Sequence, residues 1–195
     1  MKRTTKKKMA TEKMVLGAMM TALVILFQYI GTSTTFFGPF STAVGLIPIV
    51  IGAAMCGIGV GAWLGLVFGA VVIFTGGANL FFAFNVPGTI ITVMLKGAAC
   101  GAAAGLVNKL LTKFNKYVAA LGSAIVCPVT NTAIFLIGCA IFFLPHADAI
   151  ADVLKMDVTG MQLFFALAMA NFACELGMNI VLSPIVVRIL NIRKK

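Results

Sequence analysis

The sequence predicts an all-α membrane protein with six transmembrane helices and with both termini in the cytoplasm. The chain is 61% hydrophobic and only 10% charged, with a mean hydropathy of +1.09, which leaves too little polar surface for a water-soluble globule. Thirteen of its fifteen Lys and Arg residues lie in three places that flank apolar segments, namely residues 2–13, 109–116 and 188–195. Basic clusters beside bilayer-length segments are typical of polytopic helical membrane proteins.

Six apolar segments form one predicted membrane domain over residues 14–187, between a basic N-terminal segment at 1–13 and a basic tail at 188–195. The second segment is short for a bilayer, and the third follows a tight turn at residues 57–61 and ends near Thr75. The first, second, fourth, fifth and sixth predicted segments are residues 14–30, 43–56, 88–111, 118–144 and 161–187, respectively. We interpret the first segment as an uncleaved helix, because removing it would spoil the charge balance.

The positive charges predict the topology. With both termini inside, the connections at residues 31–42, 76–87 and 145–160 face outside. Thirteen basic residues then lie inside and only Lys155 lies in an outer loop, as the preference of Lys and Arg for cytoplasmic loops requires. The net charge of +10 therefore indicates contact with anionic lipid headgroups rather than with nucleic acid.

The five cysteines all fall inside apolar segments, without a C-x-x-C pair or a histidine at ligand spacing. We interpret them as small buried hydrophobic residues, and we predict neither a metal site nor a cofactor.

Small residues recur at four-residue spacing in three segments. Such faces let helices approach closely in lipid. Two of these ridges are interpreted as internal packing: Gly57, Gly61, Gly65 and Gly69, and Gly97, Gly101 and Gly105. In the first segment, Ala18 and Ala22 lie near the cytoplasmic end, and this pair could instead be a docking face for another membrane subunit.

Polar residues inside the apolar segments are the best indication of a binding site, because ionisable groups are costly in hydrocarbon. Thr89, Thr92 and Lys96 share one face of the fourth segment, and Lys96 lies roughly 12 Å from its outer end at the helical rise of 1.5 Å per residue. Asn171, Glu175 and Asn179 form a stripe on the sixth segment. With Asn85 in the second outer loop and Asn131 after Pro128, these residues predict a polar pocket in the outer half; Asn179 is interpreted as an interhelical hydrogen-bond partner.

Two interpretations of Lys96 stay open at this point. Its ammonium either binds the ligand or forms a structural ion pair with Glu175, the other charged residue away from the ends of the spans, since intramembrane charges are often paired. A ligand role favours a ligand with an anionic group.

The chain resembles the substrate-binding S components of energy-coupling factor (ECF) vitamin transporters. The resemblance rests on six spans in fewer than 200 residues, cytoplasmic termini, Ala18-x-x-x-Ala22, a long first outer loop with Gly and Pro, and polar outer ends on helices four to six. It implies an S-component bundle in a prokaryotic plasma membrane. It also implies capture of a small water-soluble vitamin outside, and docking through Ala18 and Ala22 on a coupling subunit that carries two cytoplasmic ATPases.

Among vitamins, pantothenate fits a lone Lys best, while riboflavin or a folate is possible, and the first and third outer loops are expected to close the pocket. No phosphate-cradling G-x-x-x-x-G-K-[ST] motif occurs, so ATP hydrolysis would belong to partners.

A small autonomous secondary transporter or exporter would be expected to show an internal repeat and ion-coupling carboxylates. A membrane enzyme would need an acid/base or nucleophile constellation, and a single His without paired intramembrane carboxylates argues against one.

Overall fold

The computed structural model describes residues 2–33, 45–158 and 160–192, and every regular element within these ranges is a helix. The helices are α1 (Lys2–Ser33), α2 (Leu46–Cys56), α3 (Ile58–Phe74), α4 (Asn79–Phe82), α5 (Val86–Leu111), α6 (Lys116–Gly138), α7 (Ala147–Leu154) and α8 (Met161–Ile192). Each of the six predicted segments contains one of the long or medium helices. Most of the predicted first outer loop, residues 34–42, lies outside the described residues.

Several helices extend beyond the predicted apolar segments or begin at other residues. Helix α1 begins at Lys2, so the basic N-terminal segment continues the first apolar segment as one helix. Helix α3 begins at Ile58, and the predicted turn at residues 57–61 shrinks to Gly57, which has φ +99°. Only a residue without Cβ adopts that backbone conformation readily.

The predicted second and third loops contain helices. The second loop includes α4, and α5 begins at Val86 because Asn85 caps it: its side chain accepts a hydrogen bond from the Gly88 N–H at 2.9 Å. The third loop includes α7, an amphipathic helix that buries Ile150 and Ala151 and exposes Asp148 and Asp152. Period-3.6 amphipathicity is the sequence signal for such a helix.

The chain folds as an antiparallel bundle in which α2 is central. Helix α2 contacts α1, α3, α5, α6 and α8, and eight of its eleven residues are buried. The basic end of the bundle carries Lys109, Lys113 and Lys116, and the opposite end carries α4 and α7. At that opposite end, the hydroxyls of Thr32 and Thr75 lie 3.2 Å apart and join the ends of α1 and α3.

The two predicted glycine ridges pack against each other. A Cβ at Gly65 would collide with the backbone carbonyl of Gly97, and one at Gly61 would collide with that of Gly101. Helices α3 and α5 therefore touch backbone to backbone, which only glycine permits at these positions.

Helix α6 is irregular both before and after its polar residues Asn131 and Thr132. Pro128 lies inside the helix and removes one backbone hydrogen bond. After Gly138 the chain continues as a π-helical turn, Cys139–Phe143, and then as a 3₁₀ turn, Leu144–His146. Pro145 follows this π-helical turn.

Four stretches of the described residues are long and apolar enough to cross a membrane: Thr11–Thr32, Val86–Leu111, Lys116–Leu154 and Met161–Val181. Helices α2 and α3, with 11 and 17 residues, are shorter apolar helices. A helix of eleven residues extends only about 17 Å, less than the roughly 30 Å of a hydrocarbon core. The long α1, α5, α6 and α8 therefore surround at least one helix that is too short to cross alone.

Candidate functional site

A small polar cavity lies between α5, α6 and α8. Its lining residues are Lys96, Asn131, Thr132, Phe135, Leu167, Ala168 and Asn171. Its volume is about 30 Å³, which is space for one or two water molecules. The structure thus brings Lys96, Asn131 and Asn171 of the predicted site to one place.

Lys96 projects from α5 ten residues after the first residue of that helix, about 15 Å along the axis. Its Nζ lies 5.4 Å from the centroid of the Phe135 ring, within the range of a cation–π interaction. Within the part of the chain that the structure describes, no carboxylate lies at ion-pair distance from this ammonium. The direct Lys96–Glu175 pair, one of the two interpretations left open by the sequence, is therefore not formed in this conformation.

Glu175 lies behind the cavity wall and is completely buried. Its two carboxylate oxygens accept hydrogen bonds from Asn131 Nδ2, at 3.2 Å, and from Asn171 Nδ2. Charge-assisted hydrogen bonds of this kind stabilise a buried carboxylate. Glu175 thus connects α8 to α6 and does not itself line the cavity.

Among the described residues, Asn179 bonds to its own helix and not to another helix as predicted. Its Nδ2 donates to the main-chain carbonyl of Glu175 at 2.8 Å, four residues earlier in α8. The spacing that places Asn179 in the polar stripe also places it within reach of its own helix backbone.

The remaining predicted ligand contacts lie beside the cavity, at the α5–α6 interface. Asn85 caps α5 and its Nδ2 donates to the Phe142 carbonyl at 3.5 Å. Thr89 Oγ1 donates to the Asn85 carbonyl at 2.7 Å. Thr92 packs against Gly138, where a Cβ would overlap the threonine side chain, and its buried Oγ1 has no hydrogen-bond partner among the described residues.

Four residues that line the cavity are not among the predicted ligand contacts, namely Thr132, Phe135, Leu167 and Ala168, and Phe135 is the one whose ring faces the Lys96 ammonium. It lies one helical turn after Asn131, so the i, i+4 rule could have found it. Its ring makes an edge contact with Phe81 of α4, with centroids 5.6 Å apart. A residue of the predicted second outer loop therefore holds one wall of the cavity in place.

Comparison with known protein families identifies the chain. The model of the family "ECF transporter, substrate-specific component" matches residues 12–189. The chain belongs to this family. No curated protein and no solved structure matches it significantly. The protein is thus a binding component of a transporter and not an enzyme, as the resemblance implied.

In this S component, the predicted docking residues lie on an unpacked face of α1. Ala18 and Ala22 are both exposed. Ala22 also lines an apolar groove of about 500 Å³ between α1 and α3, together with Ile25, Leu26, Tyr29, Val71, Phe74 and Thr75. The face is thus formed by small side chains beside a concave apolar surface, which suits close helix approach.

Proposed function

We propose that this S component captures a small water-soluble vitamin on the outer side of a prokaryotic plasma membrane and delivers it through an ECF importer. Pantothenate is favoured, and riboflavin or a folate is possible. The observation that carries the proposal is the ammonium of Lys96, which faces a polar cavity without a carboxylate partner among the described residues. A cation at that depth is costly unless something anionic compensates it, and a ligand carboxylate or phosphate would do so.

The proposed topology places six helices in the membrane and both termini in the cytoplasm. In that orientation the opposite end of the bundle, with α4 and α7, faces outside. The cavity then lies in the outer half, because Lys96 is ten residues from the start of α5 and fifteen from its end. The positive-inside rule supports this orientation.

Ligand entry requires the cavity to enlarge, since a pocket that encloses a vitamin needs several hundred Å³ and this one has about 30 Å³. The irregular part of α6 supports such a movement. Pro128 precedes Asn131, Thr132 and Phe135, and the π-helical turn Cys139–Phe143 follows them. Because both features interrupt the α-helical hydrogen bonds, this stretch of α6 can bend more easily than a regular helix. Thr89, Thr92 and Asn85 adjoin the same turn and are proposed to contact ligand once it opens.

Transport energy is proposed to come from partners. The exposed Ala18 and Ala22 would dock on a membrane coupling subunit, and two cytoplasmic ATPases would complete the importer. The groove beside Ala22 supports this role, because an apolar concave surface can accept side chains from a partner helix.

The proposal is tested by identifying what the purified protein binds. The protein is purified in mild detergent, denatured, and its released small molecules are identified by mass spectrometry. Calorimetric titration with pantothenate, riboflavin and folate follows. We expect one of the three to be released from the wild type and to bind with submicromolar affinity, and to be absent from Lys96→Ala protein purified in parallel. Failure of all three to bind the wild type would contradict the proposal.

A further inference from the structure

The hydrogen bonds of Glu175 determine which way two neighbouring amides point. An ionised carboxylate can only accept hydrogen bonds, whereas an asparagine side chain has an NH₂ donor on one side and an oxygen acceptor on the other. Asn131 and Asn171 both turn Nδ2 to the carboxylate of Glu175. Their oxygens are therefore turned away from Glu175.

The oxygen of Asn131 is left without a donor. Asn131 is 3% exposed, it lines the cavity, and its Oδ1 has no hydrogen-bond partner in the described part of the chain. A buried acceptor without a donor carries a desolvation penalty. Asn171 lines the same cavity, so this wall of the site presents acceptors.

The acceptors discriminate between kinds of ligand donor. A hydroxyl brings lone pairs that need donors of their own, and each of the Asn131 and Asn171 amides already donates one of its two hydrogens to Glu175. An amide, imide or ammonium N–H brings no such requirement, because its nitrogen has no lone pair available as an acceptor. A ligand N–H therefore fits the free oxygen of Asn131 with fewer further hydrogen-bond partners than a ligand hydroxyl would need.

We infer that Glu175 is a positioning residue: it orients Asn131 and Asn171 so that their oxygens receive an N–H group of the ligand, while Lys96 receives the ligand's anionic group. The inference rests on the proposed function, since it assigns the chemistry of the ligand in the same site. It makes the ligand a compound with a nitrogen donor at one end and a negative or electron-rich acceptor group at the other. Phe135, between Asn131 and the π-helical turn, supplies the apolar surface.

The experiment compares each of pantothenate, riboflavin and folate with a derivative methylated at its amide or ring N–H nitrogen. Calorimetry gives the dissociation constant of each parent and methylated compound for the wild type. We expect methylation to weaken binding of the cognate vitamin by about tenfold or more, the cost of one lost hydrogen bond to a buried acceptor.

Variants then assign the effect to residues. In Asn131→Leu the acceptor is gone, so the parent and methylated compounds should bind almost equally. In Glu175→Gln the new amide can donate to either asparagine oxygen, which permits an asparagine to turn over, so the ratio of the two dissociation constants should fall towards one. Asn179→Leu is the matched control: Asn179 is also buried on α8 but bonds to the backbone, and the wild-type ratio should persist. Thermal unfolding of every variant verifies folding.

Each result has a defined meaning. Equal binding of the parent and methylated compounds to the wild type would overturn the inference and leave the proposed function intact. A large ratio that persists unchanged in Glu175→Gln and Asn131→Leu would remove Glu175 as a positioning residue. If none of the three vitamins binds the wild type, the proposed function fails and the inference fails with it. A purely structural role of Glu175 would weaken both compounds together and leave their ratio unchanged.

Discussion

Lys96 and Glu175 are stabilised in different ways although both lie in the middle of apolar helices. The carboxylate has two amide donors, and the ammonium has the face of an aromatic ring. A cation–π contact contributes about 0.5–2 kcal/mol, much less than the cost of burying an unpaired charge. Lys96 is half-buried and is attracted to Glu175 only from beyond ion-pair distance, so this residue is where a ligand anion in direct contact would add most.

Removal of the Lys96 ammonium should therefore reduce ligand affinity without reducing stability. In Lys96→Ala we expect a loss of about 2–5 kcal/mol of binding free energy for the cognate vitamin, or tens- to thousands-fold in the dissociation constant, measured by calorimetry. Lys96→Arg should rescue only in part, because the guanidinium is larger and planar.

The structural ion pair makes the opposite prediction. If a conformation with a Lys96–Glu175 pair dominates in the membrane, Lys96→Ala would strand the carboxylate and lower the melting temperature. The double variant Lys96→Ala, Glu175→Gln would then recover both stability and affinity. Such a recovery would remove Lys96 from the binding site.

At the scale of the helices, α3 and α5 form the closest backbone contact among the described residues. Gly65 and Gly97 each lie against the backbone of the other helix. Van der Waals packing of this kind is the main attraction between helices in lipid, where apolar surfaces gain little by leaving the solvent.

A methyl group at Gly65 should destabilise the bundle. Gly65→Ala forces the two backbones apart, and we expect a loss of about 1–3 kcal/mol of unfolding free energy, as for other overpacked interiors, measured as a lower melting temperature in detergent. Gly59→Ala on the same helix is the control, because a Cβ at Gly59 meets nothing within 4 Å and alanine has the higher helix propensity. Equal melting temperatures for both variants would contradict the close contact.

The small-residue face of α1 is available to a partner, unlike the ridges of α3 and α5. Replacing both Ala18 and Ala22 with leucine should abolish vitamin uptake in cells, because bulky side chains prevent close helix approach. Ligand affinity of the purified variant should stay within about twofold, since neither alanine lines the polar cavity. Ala166→Leu, at an exposed alanine of α8, should retain uptake. A parallel loss of affinity and uptake would show that the pair stabilises the fold internally.

At the scale of the whole molecule, basic and acidic residues lie at opposite ends of the helix bundle. Lysines follow α5 and begin α6 at the basic end, whereas Asp148, Asp152 and Asp157 are exposed at the opposite end. Because basic loops resist translocation, this arrangement predicts the orientation of the entire bundle.

Cysteine labelling in intact cells checks that orientation. In a variant lacking the five native cysteines, a single Cys at Asp148 should react with a membrane-impermeant maleimide from outside. A single Cys at Lys113, equally exposed but at the basic end, should react only after permeabilisation. The reverse pattern would invert the topology and place the cavity near the cytoplasm.

The sequence by itself determined the membrane class, the helical composition, the family and the identity of most polar residues at the cavity. The class, the helices and the polar residues follow from hydropathy and from local periodicity, which depend on neighbours along the chain, whereas the family follows from a resemblance that covers nearly the whole chain. The helices in the predicted second and third loops were missed, although Asn85 is a helix-capping residue and α7 is amphipathic, because short helices give weak signals. The start of α1 at Lys2 was not predicted, because no local sequence signal marks a helix end between the basic and the apolar part of α1.

Only the tertiary structure decided how the helices meet. It placed the short α2 at the centre, paired the glycines of α3 with those of α5, and brought Phe135 rather than Thr92 to the cavity. It also gave Glu175 two asparagine partners, one of them 44 residues distant in sequence, in place of Lys96. Contacts between residues so far apart depend on rotation and depth of whole helices, which packing fixes and local sequence does not.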